Sequence, residues 1–542
     1  MLVLVSLIAF LPGFFQIPPV DRDEARFAQA TKQMIESGDY VDIRFQDEVR
    51  YKKPVGIYWL QAAVVNAAQA AGLSAARTTI SLYRLPSLLG GVGAVLATYW
   101  CALAFVGRRG ALLSALMMAA SGLLGVEARL AKTDAMLLLT VVAAMGVLGR
   151  VYMAQRGGKD LQSGWTLPAL FWTALAGGIL LKGPVIVMVV ALAAAALSIL
   201  DRSARWLKAL RPLAGIAWLV VLVLPWFIAI YARTGGAFFV DAIGHDMLAK
   251  VAMSQEAHGA PPGLYFVLFF ITFFPGSVLA ALAAPAVWAL RREAAARFLL
   301  AWLLPSWLVF ELIVTKLPHY VLPLYPAVAI LVAGAVERKL LSQQIWLVRG
   351  TIWWFFVPII MSIVALIAAI VVVRELALPA WPFLAAAIGC GLLAWLCYED
   401  EGAERAFTRA SAATLLVAIG IYGFVVPALT PLFPSVALAA VLRNSGCAHP
   451  LAASAGYEEP SLVFLAGTAT KLADAAGAAD FLRGGGGCRF AFVEARQERA
   501  FALRAEAIGL HYQREAPIFA FNISRGRRVA IGVFRSAQGD LP

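Results

Sequence analysis

Cysteine is scarce in this chain, charge is thin, and the common nucleotide- and metal-binding signatures are missing. Five of the 542 residues are cysteine, and Asp, Glu, Lys and Arg together make up 14%. No C-x-x-C, H-E-x-x-H or G-x-x-x-x-G-K-[ST] run occurs. Thioredoxin-like redox chemistry, zincin proteolysis and P-loop nucleotide binding therefore have no foothold here. The run Gly484–Gly487 has no Lys-Ser/Thr after it and reads as a flexible turn. Cys101, Cys390 and Cys397 fall in apolar segments as packing residues, whereas Cys447 and Cys488 fall in a more polar C-terminal part where a disulfide is possible but not demanded.

What fills the space is hydrocarbon. The chain is 61% hydrophobic, more than a soluble domain could hide, which makes a polytopic helical membrane protein the default. Apolar segments at about 1–17, 84–106, 111–126, 133–152, 165–181, 184–200, 213–231, 263–290, 298–314, 320–336, 350–373, 381–398 and 410–429 predict about 13 spans. Residues 1–17 lack a basic n-region and an Ala-x-Ala site, so they read as a retained span rather than a cleaved leader. The net charge of +13 does not point to nucleic acid, because many of the Lys and Arg residues lie in short loops between spans. Arg108, Arg109, Arg202, Arg205, Arg291, Arg292, Arg338 and Lys339 lie in loops after even-numbered spans. By the positive-inside rule those loops are cytoplasmic, and the first loop and the C-terminal part face outward.

Two domains are expected: a membrane domain over 1–433, with a first periplasmic loop over 18–80 carrying amphipathic juxtamembrane helices, and an outward α/β domain over 434–542. In the latter, Ser461–Gly467, Arg489–Glu494, Pro517–Ile523 and Val529–Arg535 read as strands, with a helix around Lys471–Leu482.

The chemistry concentrates in outward loops. Asp21-Arg22-Asp23-Glu24 opens an amphipathic helix running to about Ser37, with Phe27, Ala30, Met34 and Ile35 as its apolar stripe. Asp21 with Glu24 three residues on makes a capping box. That assignment leaves Asp23 free to share a face with Arg26. Lys52-Lys53-Pro54 precedes the interfacial aromatic pair Tyr58-Trp59; headgroup snorkelling accounts for one of the two lysines better than for both. Glu127-Ala-Arg129-Leu-Ala-Lys132-Thr-Asp134 sits at the outer end of the fourth span. There an ion pair between Arg129 or Lys132 and Asp134 is the structural reading, yet a carboxylate at a span boundary is costly enough to suggest function. The outer segment 232–262 holds His245, Asp246, Lys250 and His258, whose spacing is a weak metal signal. Lys316-Leu-Pro-His319-Tyr320 is a further outward turn.

The order Asp-Glu-x-Arg, Lys-Pro before Tyr-Trp, Ala-Arg-x-x-x-Thr-Asp and Lys-Leu-Pro-x-Tyr resembles the bacterial lipid A aminoarabinose transferases. More broadly it resembles the GT-C polyprenyl-phosphate-sugar glycosyltransferases related to protein O-mannosyltransferases. The resemblance covers about Asp23 to Ala333. It implies an inner-membrane enzyme with an outward active site. Such an enzyme moves a sugar from a polyprenyl phosphate to a periplasmic acceptor such as lipid A, with membrane lipids around it and no nucleic-acid partner. Protein O-mannosyltransferase-like activity and a lipid-linked sugar flippase are the alternatives. By the same resemblance Asp23 and Asp134 are catalytic, and Arg26, Lys53, Lys250 and Tyr320 bind the lipid phosphate. His245 would hold a divalent metal ion with a Glu that is replaced here by Lys52, which cannot ligate. Lys250 stands for the family's Arg and Phe27 for its Tyr.

Overall fold

The computed structural model describes residues 1–157, 164–242, 244, 259–483 and 487–537. The chain is mostly helical until the C-terminal part. It opens with α1 (Leu2–Phe10), then α2 (Asp23–Ser37), a short hairpin of β1 (Arg44–Phe45) and β2 (Glu48–Val49), and α3 (Gly56–Ala70). The apolar body follows with α4 (Ile80–Ala102), α5 (Arg108–Ala120), α6 (Gly122–Glu127), α7 (Asp134–Arg156), α8 (Thr166–Lys182) and α9 (Val185–Leu200).

Among the described residues, eight helices are long and apolar enough to cross a membrane. They are α4, α7 and the segments Pro212–Thr234, Ala294–Leu312, Pro318–Glu337, Ile345–Val373, Leu378–Leu396 and Ala403–Ala428. Shorter apolar helices, including α8, α9 and Gly276–Ala289, pack among them. The expected spans therefore do not map one to one. The apolar segment 1–17 forms only the nine-residue α1, about 14 Å at the helical rise. The segment 111–126 breaks at Ser121 into α5 and α6, and 263–290 splits into Leu264–Thr272 and Gly276–Ala289 around Pro275, which has no N–H to continue a helix. Hydropathy registers the apolar run and misses the break.

The N- and C-terminal ends of the helical body interlock. Gly13 has φ +75°, and a Cβ there would lie 2.2 Å from the carbonyl oxygen of Tyr422. The Arg129 guanidinium stacks 4.2 Å over the Tyr422 ring and donates to the carbonyls of Ala9, Pro12 and Gly125. Arg129 is thus a buried strut, not a partner of Asp134. The stretch Ile419–Val425 is π-helical.

Beyond Leu432 the chain forms a helix, Pro434–Arg443, and a five-stranded sheet in the order β4-β3-β5-β7-β6. Its strands are β3 (Leu451–Ala455), β4 (Lys471–Ala473), β5 (Arg489–Glu494), β6 (Tyr512–Asn522) and β7 (Arg527–Ser536). β3 runs parallel to β4 and β5, while β7 is antiparallel to β5 and β6. Ser461–Gly467 is not the expected strand: Pro460–Ala466 is a helix, with Pro460 at its first turn and Leu462, Val463 and Phe464 buried. A short apolar run does not tell helix from strand. The helix near Lys471–Leu482 is Ala475–Leu482, capped by Asp474, and Lys471–Ala473 is β4. A Cys447–Cys488 disulfide with Cα atoms 5.8 Å apart ties the lead-in of β3 to that of β5.

Candidate active site

The site begins with a buried clasp. Glu24, in the first turn of α2, receives Arg84 Nε at 2.7 Å and Nη2 at 2.8 Å, both side chains 1% exposed. Its oxygens also accept the backbone N–H of Val20 at 2.8 Å and of Ala131 at 2.9 Å. Arg84 spends its other donors on the carbonyls of Phe14, Ile17 and Pro18. Every donor and acceptor is used, which is what makes a desolvated ion pair tolerable. The clasp joins four stretches of chain: the exit from α1, the start of α2, the first turns of α4 and the link from α6 to α7.

The capping box expected from Asp21 and Glu24 does not form. α2 starts at Asp23, Arg22 takes the N-cap position at φ 48°, and the Asp21 carboxylate accepts the backbone N–H of Ser461 at 2.9 Å. Long-range partners outcompete the local N–H groups for both carboxylates. Asp23, next to the clasp, is exposed.

Facing this helix start is a compact charged cluster. Glu127 ends α6, Asp134 begins α7, Lys132 lies between them and Lys182 ends α8. Lys132 Nζ is 3.1 Å from Glu127 Oε2 and 4.0 Å from Asp134 Oδ2, while Lys182 Nζ donates to Asp134 Oδ1. His319 inserts between the carboxylates, Nδ1 3.7 Å from Glu127 and Nε2 3.8 Å from Asp134. Its ring lies 5.2 Å from that of Tyr320, and Lys182 Nζ sits 5.5 Å from the Tyr320 ring centre. Glu127, Lys132 and Asp134 are all buried. Burial works against the Lys132 ammonium, but Glu127, Asp134 and Asp23 together outweigh it and hold the group above the ordinary lysine range.

The charge of Asp23, on α2, adds to the field at Lys132, and that of Lys53, in the turn before α3, to the field at His319. Asp134 and Tyr320 belong to the cluster by contact, and Asp23 and Lys53 lie within electrostatic reach of it. Arg26 is half-buried on α2, where its charge falls on Asp21. Lys52 is exposed. His245 and Lys250 lie outside the described residues. Glu24 with Arg84, Lys182 and His319 are the members that sequence reasoning passed over. The signal available for them was buried charge in apolar surroundings.

Glu127, Asp134 and His319 place one ligand atom each within 4.8 Å of one another, a set that could hold a metal ion. Both carboxylates, however, already face an ammonium group. A cation there would have to displace Lys132 and Lys182, so the residues as arranged fit a salt-bridged cluster better than a metal centre.

A family model described as dolichyl-phosphate-mannose-protein mannosyltransferase matches residues 1–237. The undecaprenyl phosphate-alpha-4-amino-4-deoxy-L-arabinose arabinosyl transferase of Pseudomonas aeruginosa (strain LESB58) is 29% identical over 351 residues, 64% of this chain and 61% of that protein. The one from Pectobacterium carotovorum is 28% identical over 358 residues, with the same coverage of both chains. The match thus spans about three-fifths of the length of these relatives. Among solved structures, ArnT from Cupriavidus metallidurans in the apo state aligns with a TM-score of 0.75 at 17% identity, covering 100% of this chain and 98% of that one. The same protein bound to undecaprenyl phosphate aligns with a TM-score of 0.73 at 18% identity and equal coverage. The chain is similar in sequence to these transferases and shares the ArnT fold along its whole length.

Proposed function

We propose that the chain is an inverting glycosyltransferase of the GT-C type that takes a sugar from a polyprenyl phosphate, such as undecaprenyl phosphate, and transfers it to lipid A or a related acceptor. The reaction runs at the outer surface of the bacterial inner membrane. The observation that carries this reading is the buried cluster of Lys132, Lys182, His319 and Tyr320 around Glu127 and Asp134, with the exposed Asp23 carboxylate and Lys53 within electrostatic reach of it. The relatives are named for transfer from the same kind of donor, and the Cys447–Cys488 disulfide suits a domain on the oxidising side of the membrane. In this reading residues 1–433 are the membrane domain and 434–542 a periplasmic one.

Chemically, the anomeric C1–O bond to the phosphate breaks and its electron pair stays on the lipid phosphate. The acceptor oxygen forms the new bond to C1 from the opposite face. Lys53, Lys250, Arg26 and Tyr320 receive the phosphate charge as it develops; one preorganised donor of this kind is typically worth ~3–4 kcal/mol. Asp23 orients the acceptor and takes its proton when the acceptor is a hydroxyl; an ionised lipid A phosphate needs no base. Asp134, held by Lys182, contacts sugar or acceptor. Any divalent ion at Glu127, Asp134 and His319, or at His245, would add charge stabilisation, and no step above depends on it.

Purified protein in nanodiscs, given undecaprenyl-phosphate-linked sugars and lipid A, is the test. Mass spectrometry should show lipid A gaining one sugar and free undecaprenyl phosphate appearing. Donor that stays intact with every acceptor overturns the reading. The mannosyltransferase family match over residues 1–237 favours one second reading, a hydroxyl-bearing protein acceptor, which the same assay detects on adding a Ser/Thr-rich polypeptide.

A further inference from the structure

A 15-residue helix outside the apolar body is marginal by itself, so what holds α2 in register decides where Asp23 points. One stripe of α2, Phe27, Ala30 and Met34, packs with Val55, Ile57 and Tyr58 of α3 and its preceding turn. A second stripe at helical spacing, Gln29, Lys32 and Glu36, does not face the membrane helices. It faces the C-terminal domain.

There Gln29 Nε2 donates to Thr468 Oγ1 at 2.8 Å, and the same hydroxyl donates to Glu36 at 2.6 Å. Lys32, 4% exposed, donates to the Phe464 carbonyl at 2.9 Å, and Phe464 stacks edge-on against Tyr83 of α4 at 5.2 Å. Ahead of the helix, Asp21 accepts from Ser461 N–H and Arg22 Nη2 donates to the Ser524 carbonyl at 2.9 Å. The β1–β2 turn closes the other side. Gln46 exchanges two 2.7 Å bonds with Gln33 and donates from its amide to the carbonyls of Thr468 and Thr470.

We infer that the C-terminal domain is a positioning element for the active site, clamping α2 through Ser461, Phe464 and Thr468 so that Asp23 is presented to the acceptor. This rests on the sugar-transfer reading for its consequence, but the clamp itself is a separate physical claim. Its features are specific. The bonds run from just ahead of the helix to its last turn, they include the buried Lys32 ammonium, 4.0 Å from Glu36 on the same helix, and Thr468 meets α2 through its hydroxyl and the β1–β2 turn through its carbonyl. Of the groups assigned to the donor phosphate only Arg26 is on α2, while Lys53 and Tyr320 are not, so loosening the clamp should cost kcat more than donor binding.

The test uses full-length protein in nanodiscs with Thr468→Val, which keeps shape and removes both hydroxyl bonds, Thr468→Ser as the conservative variant, and Gln46→Ala as a second site. Two readouts are taken: amide hydrogen exchange over residues 23–37, with 80–102 as the internal control, and kcat against donor KM. Expected is exchange at least ten-fold faster in α2 but not in α4, kcat down about ten-fold with donor KM rising much less because Arg26 alone of the phosphate groups shares the helix, and all restored by Ser. Unchanged exchange in α2 overturns the clamp. Faster exchange with unchanged kcat overturns its positioning role, and a parallel rise in KM or in α4 exchange reduces it to general stability. If wild type transfers no sugar from any donor, the transfer reading fails, while the exchange data still decide the clamp.

Discussion

Two buried charge groups lie within one loop of each other and differ in saturation. The Glu24–Arg84 clasp uses all its hydrogen-bonding capacity and excludes solvent. The cluster of Glu127, Lys132, Asp134, Lys182 and His319 does not: Glu127 Oε2 sits 3.1 Å from Lys132 Nζ without a well-aligned hydrogen bond, and His319 stays beyond hydrogen-bond reach of both carboxylates. A saturated pair holds chain segments together. An unsaturated one keeps capacity for something that arrives from outside. The same residue types thus serve architecture in one place and, on the proposed reading, recognition in the other.

That contrast is open to direct attack. The largest effect should come from Arg84→Met, which leaves Glu24 charged, buried and unpaired. Stability should fall by ~3–5 kcal/mol, read as a large drop in thermal unfolding temperature in nanodiscs. A near-normal melt would mean the clasp is not desolvated. Asp23→Asn should leave the melt unchanged and cut transfer by roughly 10²–10⁴-fold, the usual range for a lost general base. An active Asn variant removes Asp23 from the chemistry. Lys182→Met should cost less, about ten-fold in transfer, with only a modest stability change because Lys132 still faces Asp134; a collapse in stability would class the cluster with the clasp. Lys53→Ala should weaken binding of undecaprenyl phosphate about ten-fold, ~1.4 kcal/mol, and unchanged affinity would return Lys53 to a headgroup role.

The smallest effect concerns Asp21. Burial beneath the C-terminal domain, with Glu459 adding, pushes its carboxyl up to about 7 against the Ser461 hydrogen bonds. The folded state then holds a proton that the unfolded chain has released, so stability should decline as pH rises from about 4 to about 7 and level off above. After discounting for solvent at the domain edge the change is about 1 kcal/mol. Asp21→Asn, which can still accept from Ser461 N–H, should flatten the profile over that window, and a wild-type profile already flat there would show Asp21 to be solvated.

Much of this was legible in the sequence because it is local. Hydropathy gives a helical membrane protein, and the composition change after Pro434 gives a C-terminal α/β module. The motif order nominated Asp134 and Tyr320, which the fold brings into one cluster, and Asp23 and Lys53, whose charges reach it. What was not legible depends on distant partners. Asp21 looked like a cap because Ser461, 440 residues away, is invisible to local pattern. Glu24 looked like half a capping box for want of Arg84, 60 residues on. His319 looked like part of an outward turn until Glu127, Asp134 and Lys182, from three different helices, converged on it. Ser461–Gly467 reads as a strand, where Pro460–Ala466 is a helix, because seven residues carry too little periodicity.

The contact of Gly13 with Tyr422 has a consequence for biogenesis. The turn that supplies carbonyls to Arg84 and Arg129 is made at the beginning of synthesis, yet the backbone it rests on leaves the ribosome about four hundred residues later. Domains tend to assemble as units in the order they emerge, but this helical shell has its keystone at the far end. Chains truncated before Tyr422 should insert their early helices and still lack a finished pocket.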